Sequence, residues 1–172
     1  MSNSLTRIVL LSDTHGYLDD ALLEKMNWAD EVWHAGDIGD LSLIDRIEKI
    51  KPVRAVYGNI DNAELRLHHP LNQVFNCQKI KVVMTHIAGY PGRYSARVKE
   101  LLDEHRPQLF ICGHSHILKV MKDPKRGHIH MNPGAAGKHG FHQMRTLLRF
   151  EINGDTLQNL AVIELGKRGA LS

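Results

Sequence analysis

The sequence predicts an α/β fold built on a parallel sheet, and three observations carry that prediction. Short apolar runs without polar alternation recur through the first two thirds of the chain, as in Ile8-Val9-Leu10-Leu11, and read as strands covered on both faces. Segments with apolar residues at helical spacing separate the first three of them, giving the order β-α-β-α-β that favours right-handed parallel crossovers. Each run also stops at a polar residue able to hold a cation. Arg7 to Leu11 leads to Asp13 and His15, and Glu31 to Gly36 ends at Asp37. Val53 to Gly58 ends at Asn59, Lys79 to Thr85 at His86, and Gln108 to Gly113 at His114, with His116 two residues on. In open α/β sheets ligands collect beyond the carboxyl ends of strands, so these endings point to one shared rim.

After the first strand, Leu18, Ala21, Leu22 and Met26 recur at helical spacing, with Asp19 and Asp20 in the first turn where the helix dipole favours acids. Ser42 to Ile50 places Leu43, Ile44, Ile47 and Ile50 on one face and stops before Pro52, which cannot continue a helix. Asn62 to Pro70 reads as a loop, and Gln73 to Cys77 as a short strand paired with Lys79 to Thr85. Ala88 to Arg93 is rich in turn residues. Val98, Leu101, Leu102 and His105 mark a third helix, with Ser95 as its N-cap and Pro107 as its stop.

Beyond His116 the pattern is of strands alone: Ile117 to Met121, His128 to Met131, Gln143 to Ile152 and Thr156 to Leu165, the last two separated by the hairpin signal Asn153-Gly154-Asp155. These are expected to form a second, largely antiparallel sheet, with Gly166 to Ser172 as a frayed tail. No repeat or linker divides the chain, so residues 1 to 172 are expected to be one domain.

At 172 residues such a domain buries about 70% of the surface its unfolded chain exposes, enough for a core without staples. The two cysteines, Cys77 and Cys112, lack metal-ligand spacing, and Cys112 reads as a buried thiol suited to a reducing compartment. The first apolar run, Ile8 to Leu11, is too short for a signal peptide or a membrane span, so a cytoplasmic location and no membrane partner are expected. A net charge of +3, with no Lys/Arg run longer than two, gives no nucleic-acid signature. Of the 12 histidines, His68, His69, His105, His128 and His130 read as surface or packing residues.

Asp13, His15, Asp37, Asn59, His86, His114 and His116 supply carboxylate, amide and imidazole but no thiolate. That is more than one metal ion needs. Two divalent ions about 3.5 to 4 Å apart, sharing a bridging carboxylate, would use all of them and leave positions for water. The bland alternative, a set of caps, turn formers and packed polar groups, fits single members better than it fits the whole set.

Asp13-Thr14-His15-Gly16, Gly36-Asp37, Gly58-Asn59-Ile60-Asp61, Thr85-His86 and Gly113-His114-Ser115-His116, with Asn132-Pro133-Gly134 further on, resemble the motifs of the calcineurin-like metallophosphoesterases, and within them the small YfcE-like phosphodiesterases. The resemblance implies a four-layer α/β/β/α sandwich of two mixed sheets. It implies one metal held by Asp13, His15, Asp37 and His116, and another held by Asp37, Asn59, His86 and His114. Asp37, Asn59 and His86 would then be catalytic through a hydroxide bridging the ions, which attacks phosphorus in line. The resemblance favours Mn2+, while Fe, Ni2+ and Zn2+ suit the same donors. The expected partner is a small-molecule phosphate ester.

Three positions depart from the family pattern. Ile60 stands where many relatives carry a histidine that protonates the leaving oxygen, so diesters or activated esters are the expected substrates. Ile87-Ala88 follows His86, and Ala135 follows Asn-Pro-Gly. Asp61 is expected either to orient a ligand imidazole or simply to form the turn. Tyr90, Arg93, Lys138 and His139 read as solvated loop residues near the rim. A rival of another class is a non-catalytic scaffold or interaction module, because the small retromer subunit resembles this family and uses the fold that way. A (β/α)8 barrel with a His-x-His strand end is excluded by length, since it needs about 250 residues.

Overall fold

The structure, a computed structural model, describes residues 5–169. In chain order it contains β1 (Thr6–Leu11), α1 (Asp20–Met26), β2 (Glu31–His34), α2 (Leu41–Glu48), β3 (Val53–Ala55), α3 (Ala63–His68), β4 (Asn72–Cys77) and β5 (Ile80–Thr85). There follow α4 (Ala96–His105), β6 (Leu109–Ile111), β7 (Leu118–Lys122), β8 (Ile129–Pro133), β9 (Met144–Asn153) and β10 (Thr156–Lys167). Among the described residues no helix is long and apolar enough to cross a membrane.

The apolar run of β1 has two destinations. Ile8 and Leu10 point into the space between two sheets, against Val82, Met84, Ile111 and Met131, while Val9 and Leu11 point outward under Leu22, Met26, Ile44 and Ile47 of α1 and α2. Both faces are dry, which is why the run shows no polar alternation. On the far side, Val83 and Phe110 pack under Val98 and Leu102 of α4. The layers are therefore helix, sheet, sheet, helix, the four-layer α/β/β/α arrangement that the motifs imply. Burial of each large aliphatic side chain contributes about 1.5 to 3 kcal/mol, so the inner seam and the helix-covered face beneath α1 and α2 are both major sources of stability. Trp33 anchors the inner seam edge-on to Phe75 and Phe150, with ring centroids 5.0 and 5.7 Å away. The helix starts are capped by Asp19, Asp40 and Ser95, whose side chains accept from the N–H groups of Leu22, Ser42 and Val98.

Each sheet has five strands, in the orders β10-β9-β1-β2-β3 and β4-β5-β6-β8-β7. Strands β1, β2 and β3 run parallel, as do β5, β6 and β8. This corrects the expectation that the last four strands make a sheet of their own. The hairpin β9–β10 joins the first sheet, with Ile8 of β1 opposite Phe150, and β7 and β8 complete the second. Burial explains the choice: Leu148, Phe150 and Ile152 of β9 pack into the space between the sheets and Leu147 packs on the outer, helix-covered face, so this strand needs cover on both faces and finds it beside β1.

Two further corrections are local. The stretch read as a loop contains α3, which is only six residues long, buries Leu65 alone and so leaves no amphipathic trace; the Asn62 side chain caps it at the Leu65 N–H, 3.0 Å away. The expected frayed tail begins too early, because β10 continues through Lys167, opposite Met144. Residues 170 to 172 lie outside the described residues.

Candidate metal centre

The loops leaving β1, β2, β3, β5 and β6 meet at one edge of the sandwich, stitched together by their own backbone. Asp13 N–H donates to Gly36 O at 3.0 Å, His15 N–H to Asp37 O at 3.0 Å, and Gly113 N–H to His86 O at 2.9 Å. Gly113 sits so close to the first loop that a Cβ there would collide with Ser12 Oγ and Asp13 Oδ2. Asp13, His15, Asp37, His114 and His116 all adopt positive φ, between 46 and 71°, a region that costs non-glycine residues about 1 to 3 kcal/mol each when the surroundings impose it. This backbone turns five side chains inward at once.

All seven residues singled out in the sequence are brought together. Their donor atoms form two groups, Asp13 with His15 and His116, and Asp37 with His86 and His114, the atoms of each group lying within 4.8 Å of one another. Asn59 Oδ1 lies 3.0 Å from His114 Nδ1, beside the second group. Asp37 faces both groups, with Oδ2 3.5 Å from His15 Nε2 and Oδ1 3.2 Å from His86 Nε2.

The two oxygens of Asp13 are used differently. Oδ2 accepts from the Ser12 hydroxyl at 2.6 Å and from His114 N–H at 3.1 Å. Oδ1 is buried without a hydrogen-bond partner among the described residues, and it is surrounded by His116 Nε2 at 3.2 Å, His86 Nε2 at 3.8 Å and His15 Nε2 at 4.0 Å. His15 Nε2 and His86 Nε2 are likewise buried and unpartnered. The Nδ1–H of His86 donates to Ala35 O at 2.7 Å, so in the neutral ring Nε2 presents a lone pair to two carboxylates. Buried acceptors that converge without a donor need a cation, and this oxygen-and-imidazole set suits a divalent one.

The local electrostatics agree. Burial works against charge on Asp13, but the contact with His116, the proximity of His86 and the Ser12 hydroxyl outweigh it and hold the pKa below the usual carboxylate value. For Asp37, burial is likewise outweighed by His86 and the Ile60 N–H. Burial lowers the His15 pKa in spite of both carboxylates, whereas for His86 the desolvation cost is exceeded by Asp37 and Asp13 and the pKa rises.

The surrounding residues differ in part from expectation. The Asp61 carboxylate accepts from backbone rather than from an imidazole: from Gly58 N–H at 2.7 Å, Gly39 N–H at 2.8 Å and Ile38 N–H at 3.1 Å, clamping the Asp37 loop to the Asn59 loop. His139, read as a solvated loop residue, is exposed yet packs its ring 4.7 Å from that of His15. Lys138 lies over the Tyr17 ring instead, Arg93 closes a turn onto Tyr90 O, and Tyr90 lines a neighbouring cavity that shares His114. The sequence reading missed His34, whose Nδ1 accepts from Gly36 N–H at 3.1 Å while Nε2 meets Thr14 Oγ1 at 2.9 Å. It is wholly buried, and desolvation lowers its pKa to about 4. It also missed His142; Asn132, read only as part of the Asn-Pro-Gly turn, donates from Nδ2 to Gly113 O at 2.9 Å. His128 and His130 are buried packing residues as expected, both hydrogen-bonded to the Tyr94 hydroxyl.

Above the donors lies an open cleft of about 480 Å3. Its lips are apolar: Ile60, Ile117 and Phe141 are 46, 64 and 102% exposed.

Residues 6–155 match the family model described as the calcineurin-like phosphoesterase superfamily domain. The chain is 28% identical over 134 residues to a protein of Methanocaldococcus jannaschii named a probable metallophosphoesterase, an alignment covering 74% of this chain and 67% of the relative. Among solved structures, one described as a novel archaeal phosphodiesterase superimposes with a TM-score of 0.70 at 20% identity, covering 91% of this chain and 99% of its own. Vps29 of Entamoeba histolytica complexed with Zn2+ superimposes with a TM-score of 0.71 at 15% identity, covering 95 and 99%. At these identities the structural likeness speaks for the fold alone.

Proposed function

This chain belongs to the calcineurin-like phosphoesterase superfamily, and we propose that within it the protein is a phosphodiesterase that works with two divalent cations. One observation carries the reading: Asp13 Oδ1, buried and unpartnered, faces three imidazole nitrogens, an arrangement that makes electrostatic sense around cations. Asp13, His15, Asp37 and His116 would hold one ion, and Asp37, Asn59, His86 and His114 the other. Such a pair of ions lowers the pKa of coordinated water toward about 7 and offsets charge developing on a phosphate ester. Mn2+ is the proposed occupant, with Fe, Ni2+ and Zn2+ as competitors for the same oxygen and imidazole donors.

The chain's own residues bias the choice of substrate. Ile60 is exposed at the lip and its backbone N–H donates to Asp37 Oδ1 at 3.1 Å, but its side chain has no proton to give a leaving oxygen. Esters whose leaving groups depart unaided are therefore favoured. The apolar lips of Ile60, Ile117 and Phe141 suit a phosphate that carries organic groups on both sides rather than a bare monoester. A small-molecule diester in the cytoplasm is the proposed substrate; a solved protein described as an archaeal phosphodiesterase has the same fold.

The rival scaffold reading is weighed by the donor set, since all seven positions retain side chains that bind metal. Turnover of bis-p-nitrophenyl phosphate, p-nitrophenyl phosphate and simple alkyl phosphomonoesters, measured after reconstitution with each metal, tests the proposal. The diester is expected to be hydrolysed fastest, with Mn2+ the best metal. Comparable turnover of alkyl monoesters would refute the diesterase assignment, and purified protein that neither retains metal nor turns over the diester would favour the scaffold.

A further inference from the structure

We infer that His142 is a positioning residue that fixes the tautomer of His116 and so makes the first donor group able to hold a cation. The inference rests on the metal-dependent reading above, but its argument concerns hydrogen bonds alone. His142 Nε2 lies 2.9 Å from the backbone oxygen of Gly137. A carbonyl only accepts, so Nε2 carries the hydrogen, and in the neutral ring Nδ1 is left with a lone pair. That Nδ1 lies 3.3 Å from Nδ1 of His116. Two lone pairs cannot share a hydrogen bond, so the hydrogen between them belongs to His116. In the neutral ring its Nε2 is then bare, and it faces Asp13 Oδ1, which has no hydrogen-bond partner among the described residues, at 3.2 Å. The sequence Gly137 O, His142, His116 thus transmits the polarity of one peptide group into the site, as the partners behind metal-bound histidines commonly do.

The loop that carries His142 is built for this contact. It is held to the first donor loop by Ala136 N–H to Ser12 O at 2.9 Å and Gly137 N–H to Asp13 O at 3.1 Å, while Arg168 Nε donates to His142 O at 3.0 Å. Gly140, at φ +124°, lies flat against both rings; a Cβ there would strike the His116 ring and come within 3.3 Å of His142 Nδ1. Only a glycine lets this segment close down on the pair.

Three substitutions separate a tautomer lock from a mere loop tie. Asn places its amide oxygen where His142 Nδ1 stands and keeps the acceptor; Gln keeps a donor for Gly137 O but loses the acceptor; Ala loses both. Calorimetric titration of the metal-free protein with Mn2+ or Zn2+ is expected to show two ions bound by wild type and by His142→Asn. In His142→Gln and His142→Ala, one of the two should bind about 10- to 100-fold more weakly. The ion at the other group serves as the internal control for folding. The 15N resonances of His116 in metal-free protein should report Nδ1–H in wild type and His142→Asn, and a mixture of tautomers in the other two. Unaltered affinity and tautomer in His142→Gln would overturn the inference in favour of a loop tie. If wild type binds no ion at all, the metal-dependent function fails, whereas the His116 tautomer still decides the role of His142.

Discussion

The two donor groups do the same kind of work but are held by different parts of the molecule. His86 is oriented by the backbone oxygen of Ala35, just past β2 of the other sheet, and the Asp37 and Asn59 loops are clamped by Asp61 through three peptide N–H groups. His116 is oriented by a side chain, His142, from a surface loop that enters more than twenty residues later, and His15 is backed by the exposed ring of His139 from the same loop. The second group is thus part of the fold, and disturbing it disturbs the sandwich. The first is completed by an attachment, so it can be weakened while the protein stays folded.

That contrast can be broken or sharpened by experiment. The largest effect is expected at Asp13, whose Oδ1 faces histidines of both groups. Asp13→Asn should lower diester turnover by more than about a hundredfold, because losing a residue that merely orients a ligand already costs 10- to 100-fold. It should also weaken the ion of the first group far more than that of the second in calorimetric titration; equal loss of both would make Asp13 a ligand of the two groups alike. Asp61→Ala removes a buried acceptor of three N–H groups and should lower unfolding stability by about 3 kcal/mol in urea titration. His142→Ala should move the urea midpoint little, and a comparable loss in the two variants would erase the distinction between fold and attachment.

His34 supplies a pH signature for the backbone that joins the groups. Its pKa is about 4 when folded against 6.5 for the free side chain, because burial disfavours the charged ring. The unfolded chain therefore binds the proton more readily between those values. The stability that depends on neutral His34 is fully present above pH 6.5 and is lost as the pH falls toward 4, to a total of about 3 kcal/mol. Urea midpoints of metal-free wild type should fall over that window, and His34→Gln should flatten the fall; an equally steep profile in the variant would assign it to other groups. The smallest effect is expected at the lip. Phe141→Ser should raise KM for aryl diesters about tenfold, the worth of roughly 1.4 kcal/mol of apolar contact, and leave kcat and the melting temperature nearly unchanged. An unchanged KM would remove Phe141 from substrate contact.

What could be read in advance follows the same division. The convergence of the seven side chains was legible because they stand at or just past the ends of five apolar runs, and a run covered on both faces leaves its signature in every residue. The Cys112 thiol was legible as a buried group for the same reason. The partners of Asp61 were not, since a carboxylate that accepts from distant peptide groups looks like any turn-forming Asp. Nor was the destination of β9, because its composition records that it is buried but not beside which strand. His142 was the least legible of all. It lies in an aperiodic stretch of Gly, Lys and His, and its role exists only through a hydrogen position set by the backbone oxygen of Gly137.

The left-handed backbone at five of the donors has a consequence for how the chain tolerates substitution. At those positions the native side chain is the uncomfortable choice and glycine the relaxed one, so Asp13, His15, Asp37, His114 and His116 stand against a local conformational preference. Replacing His114 by Gly would ease the chain while removing a ligand. At such a position the side chain can therefore be lost with relief rather than strain in the backbone beneath it.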